Sequence, residues 1–286
     1  MSRPLLWSLR REVWENRYLY ITPAALAGLG LFGYSLSLLT LPHRLRTSPP
    51  GDLAQQGHSV AGQFSMLAVA VIMVTYIVGA LYSLEALHGE RRDRSILFWK
   101  SLPVSDRTTV LAKVAVPLVL LPILIVVLVV ATQAVMLLVR TMVLVMSGMG
   151  AYAAATRPPL PSMTVVLVYG MVVHALWHAP LYAWFLLVSV WARRTPFLWA
   201  VLPPLAAAAM EKVVFGTAHL GHVIAYRLGG ATQRAFQVRG RDELAIQVGQ
   251  IDPARFLGTP GLWLGLAVAA VFLVAAVRLR RYREPI

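Results

Sequence analysis

The stretch Val114–Leu138 reads VAVPLVLLPILIVVLVVATQAVMLL and contains no charged side chain. A helix that crosses a bilayer needs about 20 mostly apolar residues, with every backbone polar group bonded within the segment. This stretch meets that demand, and charge stays sparse beyond it: Arg140 is the only charged residue in Val114–Met149. The run is too long for one upright span and tight for two, so a tilted helix projecting past the bilayer is expected. Outward from it lie similar runs at Tyr18–Leu41, Phe64–Leu87, Met163–Trp191, Phe197–Phe215 and Gly261–Leu279. The expectation is an all-α integral membrane protein with six transmembrane helices, forming one transmembrane domain over residues 1–286. Composition agrees: 58% of residues are hydrophobic and 13% charged, with a mean hydropathy of +0.67. A soluble core cannot hide that much apolar surface, which excludes a soluble enzyme or a disordered chain. The absence of cysteine excludes disulfides, cysteine-zinc sites and thiol catalysis. The first apolar run is too long for a cleavable signal peptide and no small-residue cleavage site follows it.

The net charge of +14 would point to nucleic acid in a soluble protein; here it reads as loop charge beside spans. With six spans, one side receives Arg3, Arg10, Arg11 and Arg17, the cluster from Arg91 to Lys113, Arg193, Arg194, and the arginines from Arg278 to Arg283. That side holds 16 of the 26 basic residues, in short segments next to spans, so both termini are expected to be cytoplasmic. Splitting the third run near Gln133 would place the basic C-terminus outside, and is rejected. The external connections are then 42–63, with Pro49-Pro50-Gly51, and 150–162, with Arg157-Pro158-Pro159-Leu160-Pro161. The largest is 216–260. It holds the amphipathic stretch Ala218–Leu228 and an Asp252-Pro253 pair that reads as an N-cap with proline at the first helical position, so short helices on the outer face are expected. Residues 1–17 mix Leu6, Trp7, Leu9, Val13 and Trp14 with arginines, and read as a helix in the inner interface; a plain basic flank is the alternative.

The stretch that joins spans two and three, residues 88–113, is HGERRDRSILFWKSLPVSDRTTVLAK. Glu90, Arg91, Arg92, Asp93 and Arg94 are densely charged; Ile96, Leu97, Phe98 and Trp99 are apolar, and Lys100 follows. Pro103 ends the element, and Ser105 sits where an N-cap belongs, with Asp106 in the first turn. Four or five polar residues would suffice to join two spans, so aromatics flanked by arginines read as a surface for docking another protein. Phe98 and Trp99 would anchor it, with Arg91, Arg92, Arg94 and Lys100 as its charged rim; aromatics sitting in the lipid interface are the alternative.

In these residues the chain resembles the ABC-2-type permeases, the membrane subunits of bacterial ABC exporters. The matching features are the run Glu90-Arg91-Arg92-Asp93-Arg94, the element Lys100-Ser101-Leu102-Pro103-Val104-Ser105, and Lys113 at the entry to the third span. The six-span plan and the long last external loop match as well, and Trp191–Trp199 looks like the family's short inner turn. The resemblance implies a permease of the bacterial inner membrane with a cytoplasmic coupling helix between spans two and three. It also implies two copies of a separate ABC ATPase, two copies of the permease with spans one and five near their contact, membrane lipid around them, and no nucleic acid. ATP and magnesium would be bound by the ATPase, this chain being no enzyme and holding no cofactor or metal. No Gly-x-x-x-x-Gly-Lys-Ser/Thr occurs in the sequence, so no phosphate-cradling loop of that type is present. Gly28, Gly30 and Gly33 mimic part of a dinucleotide fingerprint, but inside an apolar run they read as close helix packing.

Ionisable groups within spans are costly and mark candidate sites. His174 and His178 share one face of span four, and Glu211 and Lys212 lie in the outer half of span five. They read as helix-helix hydrogen bonding or a polar path wall, Glu211 taking its cation from Lys212 or Arg140. Two histidines and a glutamate would also suit a metal, which gives the alternative of an intramembrane metal-dependent hydrolase, although the motif His-Ala-Leu-Trp-His lacks the neighbouring glutamate that would act as base. An ATP-independent transporter is the third class. Pro203 and Pro204 should kink or break span five, and Pro117 and Pro122 should bend span three. The charge bias gives a topology test: a thiol reagent that cannot cross the membrane should label a cysteine placed at 157 or 239 in intact cells, and should not label one at 92 or 283. Labelling at 92 would invert the arrangement.

Overall fold

The computed structural model describes residues 3–47, 53–93, 105–237 and 247–282, and all of them are helix or connection apart from one isolated bridge between Phe236 and Ile251. The helices are α1 (Arg3–Glu15), α2 (Tyr18–Thr47), α3 (Leu53–Glu85), α4 (His88–Arg92), α5 (Asp106–Met146), α6 (Gly150–Ala155), α7 (Leu160–Trp191), α8 (Pro196–Phe215), α9 (His219–Ala235), α10 (Pro253–Leu257) and α11 (Pro260–Tyr282). Six of these, α2, α3, α5, α7, α8 and α11, are long and apolar enough to cross a membrane, at the places the hydropathy pattern indicates. Helix α1 and the last turns of α11 meet at one end of the bundle, called proximal here; the end of α2 and the α5–α7 connection lie at the other, distal end.

The long third run is a single helix. Ser105 accepts a hydrogen bond from the Thr108 amide at 3.2 Å, capping the start of α5 where the sequence places it. At 41 residues α5 is ~62 Å long, twice a ~30 Å hydrocarbon core, so it projects well beyond one. The two prolines near its start leave it unbroken but displace its ladder into a π-turn, Val116–Leu120. Pro117 has no N–H to offer the carbonyl of Lys113 four residues back, and the wider turn absorbs that misfit.

Span five shows a second way of handling proline. Pro203 and Pro204 lie in the middle of α8, which nevertheless runs unbroken from Pro196 to Phe215. Pro204 cannot donate to the carbonyl of Ala200, and the indole N–H of Trp184 on α7 takes its place at 3.1 Å. The helix is thus kept from breaking at these prolines, and a neighbouring helix satisfies one of the two acceptors they free. The turn before α8 carries the backbone strain of the structure: Thr195, ahead of Pro196, adopts φ 44°, a left-handed conformation that is costly outside glycine.

Helices α7 and α11 pack most closely, through Ala179, Ala183 and Ala269 in the middle and Leu186, Val190 and Ala276 toward the proximal end. Small side chains let helix axes approach where lipid supplies no hydrophobic drive. Of the three glycines in α2, only Gly30 lies at a close approach, against Leu67 of α3; Gly28 and Gly33 face open space. The described residues of the 216–260 segment form the short helices the sequence indicates, α9 and α10, and these pack onto the distal half of α7. Ala235, Phe236, Phe256 and Leu262 enclose Val173 and Trp177 of α7. Arg227 of α9 donates to the carbonyls of Trp177, at 3.2 Å, and Gly261, while the Trp177 indole donates back to the Arg227 carbonyl at 3.0 Å. Gly265 is required here, since a methyl group at that position would run into the Arg227 guanidinium. Asp252 caps α10 through the Arg255 amide at 2.9 Å, as its sequence indicates. Replacing Trp184 with phenylalanine keeps the ring but strands the Ala200 carbonyl; the cost should be ~1–3 kcal/mol, read as a lowered unfolding midpoint in detergent, with α7–α8 loosened first.

Candidate functional site: a buried ion network at the proximal end

Helix α1 places opposite chemistries on its two faces. Trp7 and Trp14 are exposed, with the Arg10 guanidinium 5.4 and 4.6 Å from their ring centres. On the other face Leu9 packs against a cluster of Leu19, Val78 and Tyr82, and Glu12 is buried. One Glu12 oxygen accepts from Lys113 Nζ and from Arg11 Nη2, each at 2.9 Å, and the other accepts from the Tyr82 hydroxyl at 2.7 Å. Lys113 also lies 3.1 Å from Glu90 of α4, whose second oxygen receives Arg280 Nη2 at 3.0 Å. The other arm of Arg280 binds Asp106 at the start of α5, and Arg11 approaches Glu90 at 3.5 Å. Glu12, Glu90 and Asp106 are thus bridged by Arg11, Lys113 and Arg280, with Arg11 also reaching the exposed Glu15 at 3.4 Å, and Glu12, Lys113 and Arg280 are each 2–3% exposed. Charges so far from water persist only when paired and fully hydrogen-bonded. Burial alone would push the Glu12 carboxyl up. The Lys113 ammonium, hydrogen bonds from Lys113 and Tyr82, and the Arg11 charge outweigh it and hold the group below its ordinary value of 4.5.

The same end carries a second joint. Ser189 near the end of α7 accepts from the amides of Leu87 and His88 at 2.9 and 2.8 Å, and Arg91 donates to the carbonyls of Val190 and Ala192 at 2.6 and 3.2 Å. Those are acceptors at the C-terminus of α7 that have no partner within the helix, so Arg91 acts as its cap. Glu90 and Arg91 are thus buried inside the chain, whereas the sequence suggested an exposed charged patch. A neutral pairing and two unsatisfied carbonyls stabilise them better there than water does. Arg92 remains exposed, bridging Glu85 at 2.7 Å and Asp93 at 3.1 Å. Arg94, Phe98, Trp99 and Lys100 lie outside the described residues. Sequence reasoning missed Glu12, Tyr82, Asp106 and Arg280 as partners; a lone acid on the apolar face of a basic helix was the available signal.

The polar residues of the distal half separate into unrelated places. His174 stacks on Tyr76 with ring centres 3.5 Å apart, bonds the Tyr182 hydroxyl at 3.1 Å, and accompanies His178, which bonds the His174 carbonyl at 3.2 Å. Both hydrogen bonds lie within α7, and the contact across helices is the stack of His174 on Tyr76 of α3. Glu211 stands apart from it, at the end of α8, where it accepts from the Thr217 hydroxyl at 2.7 Å and from the amides of His219 and Leu220 at 2.8 and 2.7 Å. It caps α9 and does not use Lys212, which is exposed, or Arg140, which donates to Thr156 at 2.6 Å beside the Tyr152 ring. Among the described residues no group of three histidine or acidic side chains is placed to hold a metal, so His174, His178 and Glu211 do not form the hydrolase site considered as an alternative.

Removing one partner of the network should cost far more than removing two. Glu12→Gln or Lys113→Met alone should lower stability by ~3–5 kcal/mol, and the double variant by less than the sum, measured as unfolding in mixed detergent micelles. Glu12 is depressed when folded, so its contribution is present above the ordinary value of 4.5 and lost as pH falls through its lower folded value. The unfolding midpoint should therefore stay level from roughly pH 7 to 5 and fall below that, the fall being smaller in Glu12→Gln.

No protein-family model, curated protein or solved structure matches the chain.

Proposed function

We propose that this chain is the membrane subunit of an ATP-driven exporter of the ABC-2 permease kind, moving an amphiphilic or hydrophobic cargo across a bacterial inner membrane. The basic bias makes the proximal end cytoplasmic, with both termini there. The observation that carries the reading is the buried network at that end. Glu90, four residues before Arg94, is bonded to the third span through Lys113, to the sixth through Arg280, and lies 3.5 Å from Arg11 of α1. A displacement of residues 94–104 is therefore delivered to several spans together, which is what a loop driven by a partner protein requires. A partner must supply the ATP and magnesium chemistry, because the sequence has no phosphate-cradling loop. One such loop per chain engages one ATPase, and paired ATPases require two permeases. Spans one and five support that pairing, being the two least covered of the six, with Leu202, Leu205 and Met210 of α8 exposed.

The decisive test is co-expression with an ABC ATPase found in a neighbouring reading frame, the absence of which would itself count against the reading. Trp99→Ala should lower ATPase co-purification and stimulated hydrolysis at least tenfold, because a buried interface aromatic contributes ~2 kcal/mol or more. Arg94→Ala should give a milder, salt-dependent loss. Wild-type values for Trp99→Ala would remove the coupling role of this loop. The chain has no cysteine, so a single Leu205→Cys variant can report the pairing. A short bis-maleimide should join two copies through that position, while cysteine at Val172 on α7 should stay uncrosslinked.

A further inference from the structure

The distal end has a cleft and a slot that join. The cleft, of 590 Å³, lies between the distal part of α3, the corner before α7 and residues 247–249, with His58, Arg157, Ser162 and Gln247 in its wall. The slot, of 180 Å³, continues from it between α3 and α7, walled by Val69, Ile72, Val166 and Gly170, with Val129 of α5 behind them. Ser65 and Met163 belong to both. The two differ in polarity. The slot is lined mainly by apolar side chains, with Gln133 and Ser65 its polar ones, along helices apolar enough to lie in a bilayer, whereas the cleft adds a guanidinium, an imidazole, an amide and hydroxyl groups to its apolar wall. Among the described residues no acidic side chain lines either. The cleft also sits over the N-terminus of α7, whose dipole adds positive potential.

We propose that the distal end binds a single-chain amphiphile with an anionic head group, its head in the cleft against Arg157 and its chain in the slot between α3 and α7. A guanidinium matches phosphate or carboxylate oxygens with two parallel donors, and hydroxyl and amide groups complete such a site. From Ser65 to Ile72 the helix advances ~10 Å, so the slot receives the upper part of one alkyl chain and has no room for a second beside it. Gly170 keeps the slot open: a methyl group there would meet only the Phe236 ring, at 4.0 Å, whereas a larger side chain would fill the space. Binding of this kind is independent of whether a partner ATPase drives the chain, so its failure would leave the exporter reading untouched.

The test uses the full chain in phosphatidylcholine nanodiscs and a dodecyl phosphate carrying a photoreactive group near the chain end, its adducts mapped by mass spectrometry. Adducts should concentrate in residues 64–72 and 163–171, saturate, and exceed those of the matching dodecanol about tenfold, the gain expected of one charge-assisted pair. Arg157→Gln should erase that tenfold preference. Gly170→Leu should abolish labelling of the slot while Gly170→Ala keeps it, and Val69→Phe should block it from the opposite wall should the leucine variant not fold. Inorganic phosphate should not compete at concentrations where dodecyl phosphate saturates. Three results would overturn the proposal: labelling spread evenly over the lipid-facing helices, equal labelling by the alcohol, or full competition by free phosphate, which would mean an anion site without a chain.

Discussion

A single ammonium group, that of Lys113, organises the proximal end. It is 3% exposed and lies one residue-pair ahead of a π-turn, at a depth where an unpaired cation would cost several kcal/mol. Two carboxylates from distant parts of the chain, Glu12 and Glu90, must therefore come to it. Once they do, their remaining oxygens need donors, which brings in Tyr82, Arg11 and Arg280, and Arg280 in turn takes Asp106. Such pairs add little net stability over well-packed apolar side chains, but they tolerate only one arrangement. The position of α1, of α4 and of the end of α11 follows from that requirement.

The same economy of unsatisfied groups governs the rest of the molecule. Where a helix ends or a proline removes an N–H, a side chain from another helix supplies the donor: Arg91 to Val190 and Ala192, Trp184 to Ala200, Arg227 to Trp177 and Gly261. Carbonyls released within apolar surroundings cannot wait for water, so at these places a neighbouring helix supplies the donor. Irregular backbone and long polar side chains therefore occur together along these spans.

The spans, the Ser105 and Asp252 caps and the single long third helix were legible because each depends on local sequence: length of apolar run, capping residue, proline position. What was not legible depends on pairing between distant residues. Nothing near Arg91 indicates that it will find Val190, and an exposed arginine and a buried cap look alike in one dimension. Pro203-Pro204 correctly signals lost bonds, but the donor that reaches the Ala200 carbonyl comes from Trp184 on another helix, and the helix continues through. The histidines of span four and Glu211 share the look of a ligand set until Glu211 is seen capping α9.

The reach of the network along the chain bears on how the protein is made. Glu12 and Lys113 are 101 residues apart, and Glu90 and Arg280 are 190 apart. During synthesis the first three spans can neutralise Glu12 through Lys113 as soon as the third is in place. Asp106 and the second oxygen of Glu90, however, wait for an arginine that emerges only after the sixth span has been translated. Until then Asp106 is without that partner, and the arrival of the last helix both completes the bundle and closes the ion network.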